Sequence, residues 1–182
     1  MCVLKTVDLN LNLKKNSILG ELDYLNSFIG LAKSFINYKK VRKLLTDIQN
    51  DIFVIQANIA SPKNVDYLPN SIAFDRIISL QKDTYYIERS LAKINHFIVP
   101  DGTTGACYLH CVRTISRQVE RRFTAYLRNP SILAKYFDRV ACLMFALARY
   151  VNKKGGHKEV PPEYFTQPNL GSKEILNRRK PR

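Results

Sequence analysis

Tryptophan is absent from the 182 residues, and histidine occurs only three times. None of the three, His96, His110 and His157, has a glutamate three residues before it, which excludes a di-iron carboxylate bundle built on Glu-x-x-His pairs. No apolar run approaches the roughly 20 residues that a bilayer-spanning helix needs. Cysteine is sparse too. Cys2, Cys107, Cys111 and Cys142 follow no disulfide framework, and Cys107 and Cys111 stand one helical turn apart, a spacing suited to packing. A reducing, cytoplasmic setting is the expectation. The opening MCVLKTVDLNLNLKK has no small-residue cleavage site and does not read as a signal peptide. Acidic residues are the last scarcity: 15 of them against 29 Lys and Arg leave a formal charge of +14. That excess would attract RNA, DNA, an acidic partner or a polyphosphate, and does not by itself choose among them.

What is present is helical periodicity, in a chain long enough and, at 46% hydrophobic, apolar enough for one domain with a real core. Residues 1–16 are the exception. Leu9, Leu11 and Leu13 alternate with Asn10 and Asn12, which predicts an extended N-terminal segment. Asn16 or Ser17 can then cap a first helix over about 17–36, with Ile18, Leu22, Leu25 and Ile29 as its core stripe. Asp23, Asn26, Ser27 and Gly30 lie elsewhere on its surface, small or polar, and suit close approach by another chain or a ligand. A second helix over about 39–60 carries Val41, Leu44, Leu45, Ile48, Ile52, Ile55 and Ile59. After a loop with Pro62 and Pro69, a third over about 71–94 carries Ile72, Ile77, Leu80, Tyr85, Ile87 and Leu91. A fifth runs over about 131–152, and residues 153–182 are expected to form a basic, mobile tail. Five long amphipathic helices over 17–152 with short connections predict an all-α bundle.

The fourth helix organises the chain. The turn Pro100-Asp101-Gly102-Thr103-Thr104-Gly105 cannot continue a helix, and Thr103 or Thr104 can cap one. At roughly 100° per residue, Tyr108, Val112, Ile115, Val119, Phe123 and Tyr126 share one face. His110, Arg113, Arg117, Glu120 and Arg121 share roughly the opposite one. Two guanidiniums one turn apart suit phosphate or carboxylate because each offers a planar fork of donors. The plain alternative is a solvated charged face. Phe97 and Phe145, taken alone, read as core aromatics. Cys107, His110 and Cys111, spaced i, i+3, i+4, could in principle hold a soft metal.

This segment resembles the ATP:corrinoid adenosyltransferases of the propanediol-utilisation type, whose signature is close to F-I-L-P-G-G followed by L-H-x-x-R-x-x-x-R-R-x-E-R. Here it reads Phe97-Ile98-Val99-Pro100-Asp101-Gly102, then Leu109-His110, Arg113, Arg117-Gln118 and Glu120-Arg121. Gly20-Glu21-Leu22-Asp23 and Leu25-Asn26-Ser27-Phe28-Ile29-Gly30-Leu31-Ala32 are similar to the first-helix motif G-E-V-D-E-L-N-S-x-I-G-L-A, with Tyr24 in the place of a glutamate. Asp47 to Phe53, and Phe145 to Tyr150, match its second and fifth helices.

The resemblance implies a five-helix bundle of the cobalamin adenosyltransferase type, assembled as a homotrimer. It implies transfer of the 5′-deoxyadenosyl group of ATP to reduced cob(I)alamin, giving adenosylcobalamin and triphosphate, with Mg2+ sharing the neutralisation of the leaving group. An adenosylcobalamin-dependent mutase would receive the product. Arg113 would pair with Asp23 of a neighbouring copy. Arg117 and Glu120 would belong to the ATP site, with Asp138 beside them and Lys14 and Lys15 sharing the triphosphate charge. Phe97 would keep the lower axial ligand off cobalt, and Phe145 would line the corrin pocket. No resident metal site is implied. The sequence departs from the pattern at several points. The N-terminal T-x-x-G-D-x-G-x-T motif is missing, Gln118 replaces an arginine, Asp138 an asparagine and Cys142 an aspartate. A second reading follows from these departures: a trimeric relative that binds nucleotide, corrinoid or a protein partner without transfer. A nucleic-acid-binding module would leave the Phe97–Gly102 signature unexplained.

Overall fold

The periodicity is realised as five helices: α1 (Cys2–Ser34), α2 (Lys39–Ala60), α3 (Asn70–Glu88), α4 (Thr104–Tyr126) and α5 (Ile132–Lys154). The structure, a computed structural model, describes residues 2–60, 70–126 and 132–163. Helix α5 is the spine. Fourteen of its residues are buried, which places neighbours on more than one side of it. Helices α3 and α4 pack against it, α1 packs on α4, and α2 packs on α1. The stripes read from sequence form the core: Ile18, Leu22, Leu25 and Ile29 from α1, Val41, Leu45, Ile48, Ile52 and Ile55 from α2, and Val112, Ile115, Val119 and Phe123 from α4. Phe123 and Phe137 stack with centroids 5.5 Å apart at the α4–α5 contact. No helix among the described residues is long and apolar enough to cross a membrane.

Four expectations are corrected. Residues 2–16 are not extended, because α1 begins at Cys2 and runs unbroken to Ser34. The alternating leucines mislead there: no proline or glycine interrupts the chain before Gly20, and Leu4, Leu11, Ile18 and Leu25 repeat every seven residues, a helical spacing. Helix α3 stops at Glu88, six residues early. Its last turn tightens through Ser90 N–H to Ile87 O and Leu91 N–H to Glu88 O, and Lys153 of α5 donates to Ser90 O. Within α3, Thr84 is buried and Tyr85 is exposed, so Tyr85 does not belong to the core. The tail is not free at its start: α5 continues to Lys154, and residues 157–160 dock on the bundle.

That docking fastens the turn before α4. The Asn152 carboxamide, buried in α5, donates to Asp101 O at 2.9 Å and accepts from Thr103 N–H at 3.0 Å. Thr103 caps α4, its carbonyl accepting from Cys107 N–H and its hydroxyl from Ala106 N–H. Gly102 makes the fit feasible. Its φ of 118° is costly for residues with a Cβ, and a Cβ there would stand 2.1 Å from Asn152 Oδ1. From the other side, Val99 N–H donates to Val160 O at 3.0 Å, and His157 lies 3.3 Å from Asp101. Arg149 grips Glu159 through Nε and Nη2 and donates to Ala92 O at 2.8 Å. A second polar node joins α2, α3 and α5. Asp51 Oδ2 accepts from Tyr136 Oη at 2.8 Å and from Arg76 Nη2 at 2.7 Å. Burial, and then the Asp51 charge, push the Tyr136 phenol well above its usual pKa, so it remains a donor.

His110 is the remaining surprise on α4. Expected on the charged face, it is only 5% exposed, its Nδ1 has no hydrogen-bond partner among the described residues, and its ring faces Phe145 at 6.1 Å. Burial lowers its pKa and the Arg113 charge lowers it further, against the opposing pull of Asp101 and Glu159.

Two outcomes follow. Asn152→Ala leaves the Thr103 N–H and the Asp101 carbonyl unpaired and is expected to cost about 2–3 kcal/mol, read as a lower urea midpoint; an unchanged midpoint would contradict the clamp. His110 binds its proton less readily folded than unfolded, so stability is lost as pH falls through the unfolded value of about 6.5. The urea midpoint should drop between pH 7 and pH 5.5 by more in the native chain than in His110→Gln, and equal drops would remove His110 as the cause.

Candidate functional site

Helices α4 and α5 lie side by side, and their shared outer seam carries most of the candidate residues. At its centre the Arg117 guanidinium lies 2.7 Å from Glu120, one turn on along α4, and 2.6 Å from Asp138 of α5. Arg139 approaches Asp138 at 3.4 Å. Arg117, Glu120 and Asp138 thus form one cluster, with Arg117 about half exposed. Surface ion pairs of this kind contribute little to stability. Their consequence is geometric: a fork of donors is held at a fixed position on the seam.

Cys142 lies one turn on from Asp138. Burial raises its thiol pKa and Asp138 adds to the rise, while Arg139 and Arg117 oppose it. It is a neutral thiol and a poor nucleophile.

Towards the clamped turn the seam becomes less polar. Arg113 stands one turn before Arg117, half-buried, with its Nε shielded from solvent and without a hydrogen-bond partner among the described residues. Phe145 of α5 is partly exposed, between the His110 ring and the Arg149 guanidinium, which lies 5.9 Å from its centroid. Phe97, in the segment that leads into the clamped turn, is 79% exposed, which corrects its reading as a core anchor. An aromatic ring left in water beside a rigidly held turn is a surface ready for burial by a ligand or partner. Cys107 donates to Gly102 O, Cys111 is exposed and His110 is buried, so the three do not converge on a metal site.

The α1 candidates lie apart from this seam. Asp23 is exposed and forms no ion pair among the described residues, so no Asp23–Arg113 contact exists within one chain. Beside it the face of α1 carries Tyr24, Phe28, Leu31 and Phe35, with Tyr24 against Phe28 at 4.7 Å and Phe35 against Tyr108 of α4 at 5.3 Å. Lys15 donates to Ala60 O at 3.0 Å, the last residue of α2, and is therefore tied to the bundle. The Lys14 side chain lies outside the described residues. Glu21–Arg122 at 2.7 Å, which ties α1 to α4, is a pair that motif reading missed, although Glu21 stands inside the quoted first-helix words. Asn152, Arg149 and Glu159 were missed as a unit. Only the buried position of Asn152 and Arg149 on an otherwise apolar α5 face signals them.

The seam therefore offers donors for anionic oxygen at its centre and, towards the clamped turn, the partly exposed ring of Phe145. Residues 14–151 match the sequence profile of the cobalamin adenosyltransferases. The chain is 31% identical over 154 residues to a corrinoid adenosyltransferase of Bacillus subtilis, covering 79% of this chain and 77% of that one. It is 32% identical over 146 residues to a corrinoid adenosyltransferase of Mycobacterium leprae, covering 73% and 75%. Its fold superposes on a variant PduO-type ATP:corrinoid adenosyltransferase from Lactobacillus reuteri, solved in complex with cobalamin and ATP, with a TM-score of 0.72, 25% identity and coverage of 82% of this chain and 83% of that one. The chain belongs to the cobalamin adenosyltransferase family.

Proposed function

We propose that this protein transfers the 5′-deoxyadenosyl group of ATP to the cobalt of cob(I)alamin, releasing triphosphate. The observation that carries the reading is the α4–α5 seam, with the Arg117–Glu120–Asp138 cluster at its centre and Phe145 towards the turn that the exposed Phe97 precedes in sequence. Reduced cobalt is itself the nucleophile, so the protein needs no general base at the ribose 5′ carbon. Its task is to hold the two substrates in line and to stabilise the departing charge.

Arg117 donates to triphosphate oxygens, and Lys15, held on Ala60 O away from the Arg117 cluster of its own chain, would share that load from a neighbouring copy, with Lys14 next to it in sequence. Two carboxylates beside substrate phosphates suit Mg2+, which keeps most of its shell as water and phosphate oxygen. Asp138 and Glu120 are the residues that would hold it, and the ion would neutralise charge on the leaving group. Phe97 and Phe145 cover the corrin ring. A desolvated apolar wall there excludes competing axial ligands and favours reduction of the metal.

The site is completed, on this reading, by a second copy in a homotrimer. The aromatic stripe of α1 and Tyr108 provide an apolar contact surface, and Asp23 on its border meets Arg113 of the neighbour. The reaction would take place in the cytoplasm, with an adenosylcobalamin-dependent mutase as recipient. A second reading, binding without transfer, is favoured by one feature. Residues 2–19 are helical and offer no glycine-rich turn of backbone N–H groups to cradle phosphate.

Anaerobic mixing of the protein with ATP, Mg2+ and chemically reduced cob(I)alamin separates the two. Growth of the alkylcobalamin spectrum supports transfer; binding of ATP and corrinoid with no such growth gives the second reading. Arg117→Ala should lower the transfer rate at least about 100-fold with the oligomer intact, and unchanged turnover would remove Arg117 from the site. Asp23→Ala should shift the sedimentation profile towards smaller species or weaken corrinoid binding; neither change would leave Asp23 a plain surface residue.

A further inference from the structure

Tyr150 lies five residues beyond Phe145 on α5, about 140° around the helix, and so looks away from the seam. There, where the first turn of α2 meets the ends of α3 and α5, a cavity of about 250 Å3 opens. Three lysines line it, Lys40, Lys153 and Lys154, and no carboxylate among the described residues does. Its walls are the rings of Tyr86 and Tyr150, and its floor is apolar, with Val41 buried at 1% exposure and Ile87 at 4%.

The ammonium groups are held by neutral partners. Lys40 Nζ sits 3.5 Å from the centroid of Tyr86, Lys154 Nζ lies 5.8 Å from that of Tyr150, and Lys153 donates to Ser90 O. An exposed cation–π contact is weaker than a charge-assisted hydrogen bond to a phosphate oxygen. Lys40 and Lys154 would therefore turn from the rings to an anion and leave both ring faces open to a flat apolar body. Lys153 is committed to capping α3 and would contribute its field alone.

We propose that this cavity is a binding site for a small phosphomonoester carrying a ring, with the phosphate between Lys40 and Lys154 and the ring against Tyr86 and Tyr150. Several cations converging on a cavity this small suit a dianionic phosphate better than a single carboxylate. The site is independent of the transfer reaction, because none of its lining residues belongs to the α4–α5 seam.

Phenyl phosphate is the probe, titrated calorimetrically into the full chain at low ionic strength, with inorganic phosphate and phenol as the two halves of its chemistry. Saturable binding of phenyl phosphate, at least about tenfold tighter than either half, is expected. The exposed pair Lys40→Met and Lys154→Met together should weaken it by about tenfold or more, with an unchanged circular dichroism spectrum, whereas Arg117→Ala should leave it intact. Inorganic phosphate binding as tightly as phenyl phosphate overturns the proposal, as does no saturation. Unchanged affinity in the double lysine variant, or loss in Arg117→Ala alone, would place the ligand elsewhere and overturn it as well.

Discussion

One carboxamide holds the functional end of this molecule in shape. Asn152, buried near the end of α5, bonds both sides of the bend at Gly102, and the bend in turn sets the direction in which α4 leaves it. A buried amide is costly when its partners are missing, which makes the arrangement all-or-none: the turn is seated on α5 or the carboxamide is stranded. Because α5 is packed between α3 and α4, the turn inherits the rigidity of the whole core. Arg149 repeats the device one turn earlier by reaching both the segment after α3 and Glu159.

This fixed frame gives meaning to the exposed and half-exposed groups along the seam. Arg117 is balanced by two carboxylates, so its donors are positioned but not exhausted. Arg113 is half-buried with one shielded nitrogen unpaired among the described residues, and the exposed Asp23 carboxylate forms no ion pair among them. On the proposed reading, this guanidinium and this carboxylate, each on a surface flanked by aromatic rings, would meet between copies. That is the physical ground for proposing an interfacial site, and it needs no movement inside the bundle.

The core stripes were legible in sequence because a 3.6-residue period survives any tertiary context, and α2 was bounded to the residue. Ion-pair geometry at Arg117 was legible in kind, since i, i+3 spacing brings Glu120 near; the approach of Asp138 required α5 to be placed. Where reading failed, the deciding contact was distant in sequence. Nothing near Glu88 announces the end of α3, because the group that caps it is Lys153. Nothing near Val160 announces a docked strand-like segment, because its partner is Val99. At the N-terminus a local alternation of leucines suggests an extended segment, whereas the backbone is helical from Cys2. His110 misled because a polar residue on a charged stripe was taken as exposed, whereas α5 supplies Phe145 to cover it.

The central claim is that the seam of one copy is completed by α1 of another. Mixed assembly tests it most directly: Asp23→Asn and Arg117→Ala chains, each first assayed alone for its residual transfer to cob(I)alamin, are unfolded together, refolded together and assayed. A shared site predicts that activity reappears in the mixture, since some interfaces then receive an intact Asp23 from one chain and an intact Arg117 from the other. Activity no greater than the sum of the two separate variants, with mixed oligomers verified, would contradict it.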